Sequence, residues 1–425
     1  MTELPTPRVH VVGAGLAGLA AGVRLAGRGL PVEIYEAAGH AGGRCRSYFD
    51  PFLERTIDNG NHLLLSGNPA AMEFLETVGS REAMHEGSPA EFPFYDLKQG
   101  VHWSLRLSPG VVPWWVVRPG RRVPGTRVTD YLSILRLAKA GPQRSVADAV
   151  GAEGPLYERF WLPLTLAVLN TTPEHASANL LWAVMKETVA KGERYSRPII
   201  AERGLGDALI DPAVRYIEQR GGKLYFGARL RELALDKGRV VAAKIGGKEL
   251  KLSSAERLIL ALPPSRLGQV LPEMQLPDDR SVIVNAHFRL PRSIGGPRFL
   301  GLLNATAHWA FVREDVISVT ISAADRLGLA DCPEDSLLAA LWPEMQAAFG
   351  LEGQQYMAAR LIRERRATFD QSPTALALRP EAKTELANVY LAGDATGTGI
   401  PATIEGAIRS GFRAADLAAE RLTFP

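Results

Sequence analysis

Three glycines near the N-terminus have the spacing Gly-x-Gly-x-x-Gly, and an acidic residue follows at the end of the next predicted strand. Gly13, Gly15 and Gly18 come after the valine-rich run at 9–12, and the carboxylate is Glu36. Such glycines permit a tight turn and close approach of the backbone to a pyrophosphate, while the carboxylate accepts hydrogen bonds from ribose hydroxyls. The segment therefore predicts a strand–turn–helix that binds a dinucleotide. The predicted contacts are Gly13, Ala14, Gly15, Gly18, Glu36 and Ala37.

A second glycine-rich stretch bears on which dinucleotide is bound. Gly42 and Gly43 would bring another backbone segment close to the same ligand, and Arg44 adds a fixed positive charge. Such a charge suits a phosphate or an anionic flavin ring. Because a nicotinamide site is largely described by the first turn and its acid, the additional segment favours FAD.

Two distant segments complete the predicted flavin site. The stretch RTIDNGNHLL at 55–64 places a glycine between two asparagines, and AGDATGTG precedes a helix expected from about Thr403 to Leu422. The N-terminal end of that helix would stabilise a reduced, anionic flavin. Taken alone, AGDATGTG is also compatible with an ordinary polar loop. The predicted contacts are Gly43, Arg44, Gly60, Asn61, His62, Gly393, Asp394, Ala402, Thr403 and Ile404.

These segments resemble a known superfamily. VVGAGLAGLAAGVRLAGRGLPVEIYEAAGHAGGR, IDNGNH and VYLAGDATGTGIPATIEGAIRSG are similar to the FAD-binding segments of the amine oxidase and phytoene desaturase superfamily. GLGDALIDPAVRYIEQRGGKLYFGARLREL resembles its middle FAD segment, which implies that Leu230 lies near the adenine. The flavin is expected to be non-covalent, because neither Cys45 nor Cys332 lies in the C-terminal cofactor segment.

The order of these segments along the chain predicts two domains built from discontinuous pieces. The predicted fold class is α/β, with a Rossmann-like FAD-binding domain of the GR2 or amine oxidase type and a discontinuous α+β substrate domain. The FAD-binding domain is expected at 1–90, 200–275 and 385–425, and the substrate-binding domain at 91–199 and 276–384. The active site is expected where the two domains meet.

The two insertions are rich in apolar residues. The first is predicted to become helical from Val128, with breaks at Pro163 and at 171–173. The second contains the strand-like runs SVIVNAHFRLPR and WAFVREDVISVTIS, which suit a sheet beneath a cavity. Because a long apolar helix is more often ordinary core than the wall of a channel, the composition leaves both interpretations open.

Part of the chain resembles a narrower group. ERFWLPLTLAVLNTTPEHASANLL, FPFYDLKQGVHWSL and VIVNAHFRL are similar to the squalene-associated FAD-dependent desaturases, a family of hydroxysqualene dehydroxylases. The resemblance implies a long apolar isoprenoid substrate, an allylic alcohol that is reduced to squalene with loss of water. It also implies contact with upstream enzymes of squalene and hopanoid synthesis.

Two histidines are candidate proton donors for such a reaction. Departure of a hydroxyl requires a proton on its oxygen, and histidine is the commonest general acid in enzymes. His62 follows Gly60 in the segment expected beside the flavin ring, and His287 lies on a predicted strand of the substrate domain. A hydrogen-bonded structural histidine is the alternative for each.

Three other functions stay open at this point. A polyene desaturase of the carotenoid or phytoene type would use the same channel, with the hydride moving from substrate to flavin. An amine oxidase is disfavoured, because that branch carries a lysine on the substrate-domain strand near the flavin and RSVIVNAHFRLP has none. A flavin-dependent scaffold without turnover is the third alternative.

Charge and composition limit the partners. A formal net charge of +3 is too small an excess for nucleic-acid binding, which needs clustered basic residues on one face. No stretch approaches the ~18 apolar residues of a membrane-spanning helix. No cluster of histidines and cysteines has metal-ligand spacing, and the N-terminus shows no export signal, so a cytoplasmic protein is expected.

A peripheral membrane contact is nevertheless expected, because an isoprenoid substrate dissolves in the bilayer. Trp114 and Trp115 lie among valines, as suits an interface with anionic headgroups. The arginines that follow them are Arg118, Arg121, Arg122 and Arg127. A buried tryptophan pair beside a basic loop is the alternative.

Overall fold

The computed structural model of the protein describes residues 7–420. The strands are β1 (Val9–Val12), β2 (Val32–Tyr35), β3 (Ser47–Asp50), β4 (Arg55–Asp58), β5 (Leu64–Leu65), β6 (Met84–Glu86), β7 (Glu91–Asp96), β8 (Val101–Arg106), β9 (Pro198–Ala201), β10 (Lys223–Tyr225), β11 (Leu230–Asp236), β12 (Arg239–Ile245), β13 (Lys248–Lys251), β14 (Arg257–Leu260), β15 (Ser281–Arg289), β16 (Phe299–Leu303), β17 (Trp309–Arg313), β18 (Val316–Ile321), β19 (Ala358–Thr368) and β20 (Val389–Leu391). The helices are α1 (Leu16–Gly27), α2 (Pro69–Thr77), α3 (Ser133–Ala138), α4 (Val146–Val150), α5 (Leu162–Leu169), α6 (Ala178–Glu187), α7 (Asp211–Gln219), α8 (Pro264–Val270), α9 (Glu334–Phe349) and α10 (Ile404–Glu420).

A parallel sheet in the order β10-β2-β1-β14-β20 carries the first glycine-rich turn. β1 lies at its centre, and all four residues of that strand are buried. Both faces of a parallel sheet are covered by other elements. A central strand therefore carries apolar residues such as valine on both faces, whereas a half-exposed strand would alternate apolar and polar residues. The strands come from widely separated parts of the chain, so the site above this sheet depends on tertiary assembly. The predicted α/β fold class is confirmed, whereas the exact division into two domains stays a prediction.

Helices α1 and α10 pack against each other beside this sheet. A β-carbon added at Gly411 of α10 would lie only 2.2 Å from the carbonyl oxygen of Ala17 in α1. The absence of a side chain at Gly411 therefore sets how closely the helices approach. The C-terminal helix predicted from about Thr403 begins at Ile404, and its predicted end at Leu422 lies outside the described residues.

A mixed seven-stranded sheet in the order β19-β15-β18-β17-β16-β7-β8 forms the second major layer. One face packs against α9, where Phe288 contacts Trp342 with ring centroids 5.3 Å apart. The opposite face borders a cavity through residues such as Ile283 and Asn285. Because side chains alternate along a strand, β15 serves the core with one set of residues and the cavity with the other.

The helical part of the first insertion covers the cavity. The predicted break at Pro163 is wrong, because a π-helical turn at Tyr157–Trp161 leads directly into α5 and the proline occupies the first turn of that helix, where a missing N–H is tolerated. The break predicted at 171–173 is present: α5 ends at Leu169, the next residue Asn170 has a left-handed φ of 46°, and α6 begins at Ala178.

Candidate active site

A cavity of about 780 Å³ runs from the parallel sheet to the seven-stranded sheet. Most residues predicted from the sequence to bind the cofactor line it. They are Gly13, Gly15, Glu36, Ala37, Gly43, Arg44, Gly60, Asn61, His62, Leu230, Gly393, Asp394, Ala402, Thr403 and Ile404. Within residues 7–420, Ala14, Gly18 and His287 lie outside the lining. Segments from both ends of the chain thus converge on one space.

The glycine-rich turn and the stretch after β2 form a narrow backbone cradle. Gly13 has a φ of +105°, and a β-carbon there would lie 2.3 Å from the carbonyl oxygen of Ala261. A β-carbon on Gly15 would enter open space, with no atom of residues 7–420 within 4 Å. The Gly42 N–H donates to the carbonyl oxygen of Ala14 at 2.8 Å, which joins the two glycine-rich segments. The cradle leads into the N-terminus of α1, an arrangement that fits a pyrophosphate.

Two of the predicted contacts have structural roles instead. The backbone N–H of Ala14 donates to Glu36 Oε2 at 2.7 Å, so it holds the carboxylate and is not free for a ligand. A β-carbon on Gly18 would lie 1.9 Å from the carbonyl oxygen of Gly13. Gly18 therefore permits close packing of α1 beneath the turn, and direct cofactor contact is the wrong role for it.

The carboxylate of Glu36 is fixed from two sides at this end of the cavity. Its second oxygen accepts from the N–H of Ala38 at 2.8 Å. Four basic and polar side chains also line the cavity here, and the sequence reasoning missed them. They come from α8, from β11 and from the residue before β11, and no recognisable pattern marks them. They are Arg229, Arg231, Arg266 and Gln269.

Arg44 and Asp394 form an ion pair across the cavity wall. Arg44 Nη2 donates to Asp394 Oδ1 at 2.7 Å, and Arg44 Nη1 donates to the carbonyl oxygen of Ala367 at 2.6 Å. The charge of Asp394 raises the pKa of Arg44, so the guanidinium stays cationic. Beside it, burial raises the pKa of the Cys45 thiol to about 12, which keeps that sulfur protonated and unreactive.

A half-buried arginine holds the glycine-rich loop before α10. Arg379 donates to the carbonyl oxygens of Asp394 (2.9 Å) and Ile400 (3.0 Å), to the carbonyl of Thr396 and to Thr398 Oγ1 (2.9 Å). Burial lowers the pKa of this guanidinium to about 10. Sequence reasoning missed Arg379 because it stands fourteen positions before Gly393 with no motif around it. Its role is to fix the loop that follows β20.

The two candidate histidines differ in access to the cavity. His62 lines it, and its Nδ1 lies 3.0 Å from the carbonyl oxygen of Gly60. Burial lowers the pKa of His62 below the ordinary 6.5. His287 is fully buried on β15, beyond the end of the cavity lining, and its Nδ1 lies 2.7 Å from Ser318 Oγ. Burial lowers the pKa of His287 to about 4, so this residue is a neutral core histidine and its predicted catalytic role is withdrawn.

The remaining part of the cavity is apolar. Its walls come from β7, β8, the π-helical turn, α5, α6 and β17. The residues are Phe92, Phe94, Leu105, Leu107, Phe160, Leu164, Val168, Leu181, Val184, Met185, Trp309 and Phe311. This composition suits a long hydrocarbon, and α5 and α6 thus contribute both to core packing and to the cavity wall.

A row of polar side chains interrupts this apolar surface on the seven-stranded sheet. Asn285, Thr320 and Asn61 are hydrogen-bonded to one another, and Glu364 lies beyond them. All four line the cavity. No sequence motif identifies the members on β15, β18 and β19, because strand pairing alone brings them together.

The cradle, the fixed carboxylate and the helix N-terminus define the class of protein. Residues 16–419 match the flavin containing amine oxidoreductases, and the chain belongs to that family. The residues described above fit the cofactor of this family, because a backbone cradle without side chains meets a helix N-terminus at one end of the cavity. The protein is an FAD-dependent oxidoreductase.

More particular similarities narrow the class. The chain is 44% identical over 410 residues to hydroxysqualene dehydroxylase of Rhodopseudomonas palustris, covering 96% of this chain and 97% of that protein. It is 40% identical over 410 residues to hydroxysqualene dehydroxylase of Sinorhizobium fredii, covering 96% and 98%. Among solved structures it is similar to cyclohexylamine oxidase from Brevibacterium oxydans, with a TM-score of 0.74, 16% identity and coverage of 99% and 100%. The last similarity concerns the fold, whereas the first two confirm the resemblance to hydroxysqualene dehydroxylases.

Proposed function

We propose that this protein reduces hydroxysqualene to squalene. The observation that carries the proposal is the continuity of one cavity, which joins the glycine cradle to an apolar chamber between α5, α6 and the seven-stranded sheet. Relatives with 44% and 40% identity over nearly the whole chain bear the name hydroxysqualene dehydroxylase. When bound in reduced form, FAD supplies the hydride that replaces the departing hydroxyl, which leaves as water with one added proton while the flavin is left oxidised.

The chain's own residues position the substrate and keep water away. The aromatic and aliphatic walls around Phe160, Leu181 and Trp309 hold the isoprenoid and exclude solvent. Exclusion of water strengthens each electrostatic interaction with a developing charge. Asn61 and His62 both line the cavity, which supports a role for these residues beside the reacting carbon.

His62 remains the candidate proton donor. It lines the cavity, and an imidazole within reach of the leaving oxygen can deliver the proton that the hydroxyl needs. Its lowered pKa means that the protonated form is a minority at neutral pH. The proton must therefore be supplied from that minority form or be taken up after the substrate binds.

Product analysis under anaerobic conditions tests the function. Photoreduced enzyme mixed with hydroxysqualene is expected to yield squalene and oxidised flavin in equal amounts. Oxidised enzyme mixed with phytoene-type polyenes distinguishes the desaturase alternative, in which the hydride moves from substrate to flavin. Formation of desaturated polyene without any squalene would favour that alternative. Conversion of neither substrate would favour the scaffold interpretation.

A membrane contact forms part of the proposal, and the exposure of the two tryptophans supports Trp114 alone as its anchor. Trp114 is 60% exposed, whereas Trp115 is 6% exposed and packs edge-on against Tyr131 at 5.2 Å between ring centroids. The predicted anchoring role of Trp115 is therefore wrong. Exposed apolar neighbours extend the surface around Trp114. They are Val111, Val112 and Val117.

This Trp114 surface, made of Trp114 with those three valines, adjoins the apolar end of the cavity. The carbonyl oxygen of Ser108 accepts from the N–H of Glu193, and a β-carbon at Gly192 would lie 2.0 Å from the carbonyl oxygen of Gly110. The two segments joined here continue directly from the cavity-lining residues Leu107 and Val189. A lipid that leaves the bilayer at this surface would meet the apolar chamber.

No helix among the described residues is both long and apolar enough to cross a membrane. A cytoplasmic location and contact with the enzymes that supply the alcohol stay predictions. Both follow from the proposed substrate, because a lipid intermediate is passed most directly between proteins on the same bilayer surface.

A further inference from the structure

The floor of the cavity carries an uncharged polar cluster within an apolar surface. Asn285 on β15 and Thr320 on β18 are paired residues on adjacent strands, and Asn61 reaches them from the segment after β4. All three line the cavity, and on β17 the ring of Trp309, paired with Thr320, continues the same face as apolar surface. The cluster therefore marks one place on the apolar wall where a polar group of a ligand can be received.

The hydrogen bonds of the cluster have a fixed direction. Asn285 Nδ2 donates to the backbone carbonyl oxygen of Asn59 at 3.3 Å, so Asn285 Oδ1 is the atom that faces Thr320. A carbonyl oxygen can only accept, and the Thr320 hydroxyl therefore donates to it at 2.8 Å. Thr320 Oγ1 in turn accepts from Asn61 Nδ2 at 3.1 Å. Behind the cluster, Asn59 Nδ2 donates to Glu364 Oε2 at 3.1 Å, which fixes the Asn59 side chain.

This direction determines what the cluster offers to a ligand. A hydroxyl oxygen accepts two hydrogen bonds, of which Thr320 uses one, and the amide of Asn61 adds a carbonyl oxygen and a second N–H. The cavity wall thus presents two acceptors and one donor side by side. The hydroxyl of an alcohol has one hydrogen-bond donor and two acceptor sites. The water molecule formed when this hydroxyl leaves has two donors. Both species match the cluster.

We propose that Asn61 and Thr320 form the subsite that holds the hydroxyl oxygen of the substrate, with Asn285 as a positioning residue that fixes the Thr320 hydroxyl. This inference rests on the proposed function, because it requires an alcohol as substrate. The subsite would recognise one oxygen atom of the substrate. The other walls of the cavity select only for a long, apolar ligand. The two acceptors also suit the protonated oxygen, since hydrogen bonds from a charged donor are stronger than neutral ones.

Binding to the oxidised enzyme tests the subsite without turnover, because the oxidised flavin cannot reduce the alcohol. Hydroxysqualene and squalene serve as paired ligands, and tryptophan fluorescence reports occupancy. We expect Thr320→Val and Asn61→Ala to weaken hydroxysqualene binding by about 3- to 10-fold each and to leave squalene binding within about twofold. Thr165→Val is the matched control. The Thr165 hydroxyl donates to the carbonyl oxygen of Trp161 at 2.6 Å and Thr165 lies outside the cavity lining, so this change should affect neither ligand.

Flavin absorbance and thermal unfolding show whether each variant keeps its cofactor and its fold, and Asn61→Ala gives an independent result if Thr320→Val does not fold. Equal losses for both ligands, or no loss for either, would overturn the subsite. If the wild type forms squalene in a single turnover but binds both ligands equally, the subsite proposal is wrong and the proposed function is still supported. A wild type that forms no squalene removes the function, whereas a selective loss of alcohol binding in the variants would still support the subsite.

Discussion

The positions of His62 and His287 determine which of the two imidazoles can contact a ligand in the cavity. His62 lies along the cavity with Nδ1 beside the carbonyl oxygen of Gly60, whereas His287 lies on β15 beyond the lining and contacts Ser318. A carbonyl oxygen can only accept, so in the neutral form His62 Nδ1 carries the proton and Nε2 is free to accept one. Proton delivery therefore requires the doubly protonated imidazole, and burial works against that form.

The rate of squalene formation is expected to fall with rising pH if His62 is the donor. Burial lowers the pKa of His62 below 6.5. The protonated fraction of His62 therefore grows as the pH falls toward this lowered pKa, and it is lost as the pH rises above it. His62→Gln cannot donate a proton of this kind and is expected to slow single-turnover flavin oxidation by roughly 10²- to 10⁴-fold and to abolish the pH dependence. Stopped-flow absorbance at several pH values measures both.

The exposed His85 provides the control for that substitution, since its side chain lies at the surface beside Glu202. His85→Gln should keep the rate and the pH profile of the wild type. If His62→Gln retains full FAD occupancy together with an unchanged rate and pH profile, His62 has no part in proton transfer.

The turn between β1 and α1 shows how an element is built for a ligand. At Gly13 the backbone conformation and the carbonyl of Ala261 forbid a side chain, so that glycine serves the fold. At Gly15 the φ is −68° and a β-carbon would meet open space among the described residues, so the protein itself gives no steric reason for a glycine there. We therefore attribute the glycine at position 15 to close approach of the cofactor pyrophosphate in the cavity.

Gly15→Ala is expected to fold normally and to lose FAD affinity. A methyl group in the path of the pyrophosphate costs about 1–3 kcal/mol by analogy with overpacking, or roughly 5- to 150-fold in affinity. Flavin titration of the apoprotein measures the affinity, and thermal unfolding of the apoprotein measures the fold.

Two other glycines give the contrast. Gly268→Ala in α8, where the nearest atom to a β-carbon is 3.7 Å away, should keep the FAD affinity and should not lower the stability of the apoprotein. Gly13→Ala should destabilise the apoprotein itself. Normal FAD affinity in Gly15→Ala would show that no ligand approaches this part of the turn.

At the scale of the whole molecule, the proposed function involves an exposed apolar surface as well as a cavity. The Trp114 surface and the apolar end of the cavity meet where the segments around Gly110 and Gly192 touch. Arg118 at the edge of this surface is exposed, and arginines beside apolar side chains suit an anionic bilayer. This arrangement supports the proposed membrane contact at the Trp114 surface, whereas the glycine-rich cofactor segments lie on the parallel sheet.

Trp114→Ser is expected to weaken binding to vesicles that contain an anionic phospholipid. Loss of one large apolar side chain from the bilayer interface costs about 1.5–3 kcal/mol, or roughly 10-fold or more in the partition coefficient. Co-sedimentation with vesicles measures the bound fraction. Trp115 must stay intact in this variant, because its burial against Tyr131 makes it part of the core.

Leu235→Ser is the matched control. Leu235 is an exposed apolar residue on β11 and is not part of the Trp114 surface. It should bind vesicles as the wild type does. Equal binding by wild type and Trp114→Ser would exclude the Trp114 surface as the anchor.

The local pattern of the sequence determined the elements whose residues are neighbours along the chain. The strand–turn–helix at 9–27, the acidic residue after β2 and the glycine-rich segment before α10 each follow from short-range rules of turns, helix starts and strand periodicity. The same patterns, with the resemblance that they carry, predicted FAD and the α/β fold class. Short-range geometry suffices there, because a turn is specified by its own few residues.

Only the tertiary structure decided which distant side chains meet. Strand pairing brings Thr320 to Asn285, the β15 register leaves His287 outside the cavity, and packing buries Trp115 while Trp114 stays exposed. The sequence left both histidines as candidate proton donors and both tryptophans as candidate anchors, because burial cannot be read from neighbouring residues. The differences arise from burial and from contacts between residues far apart in the chain, which depend on how whole sheets and helices assemble and not on any short stretch of residues.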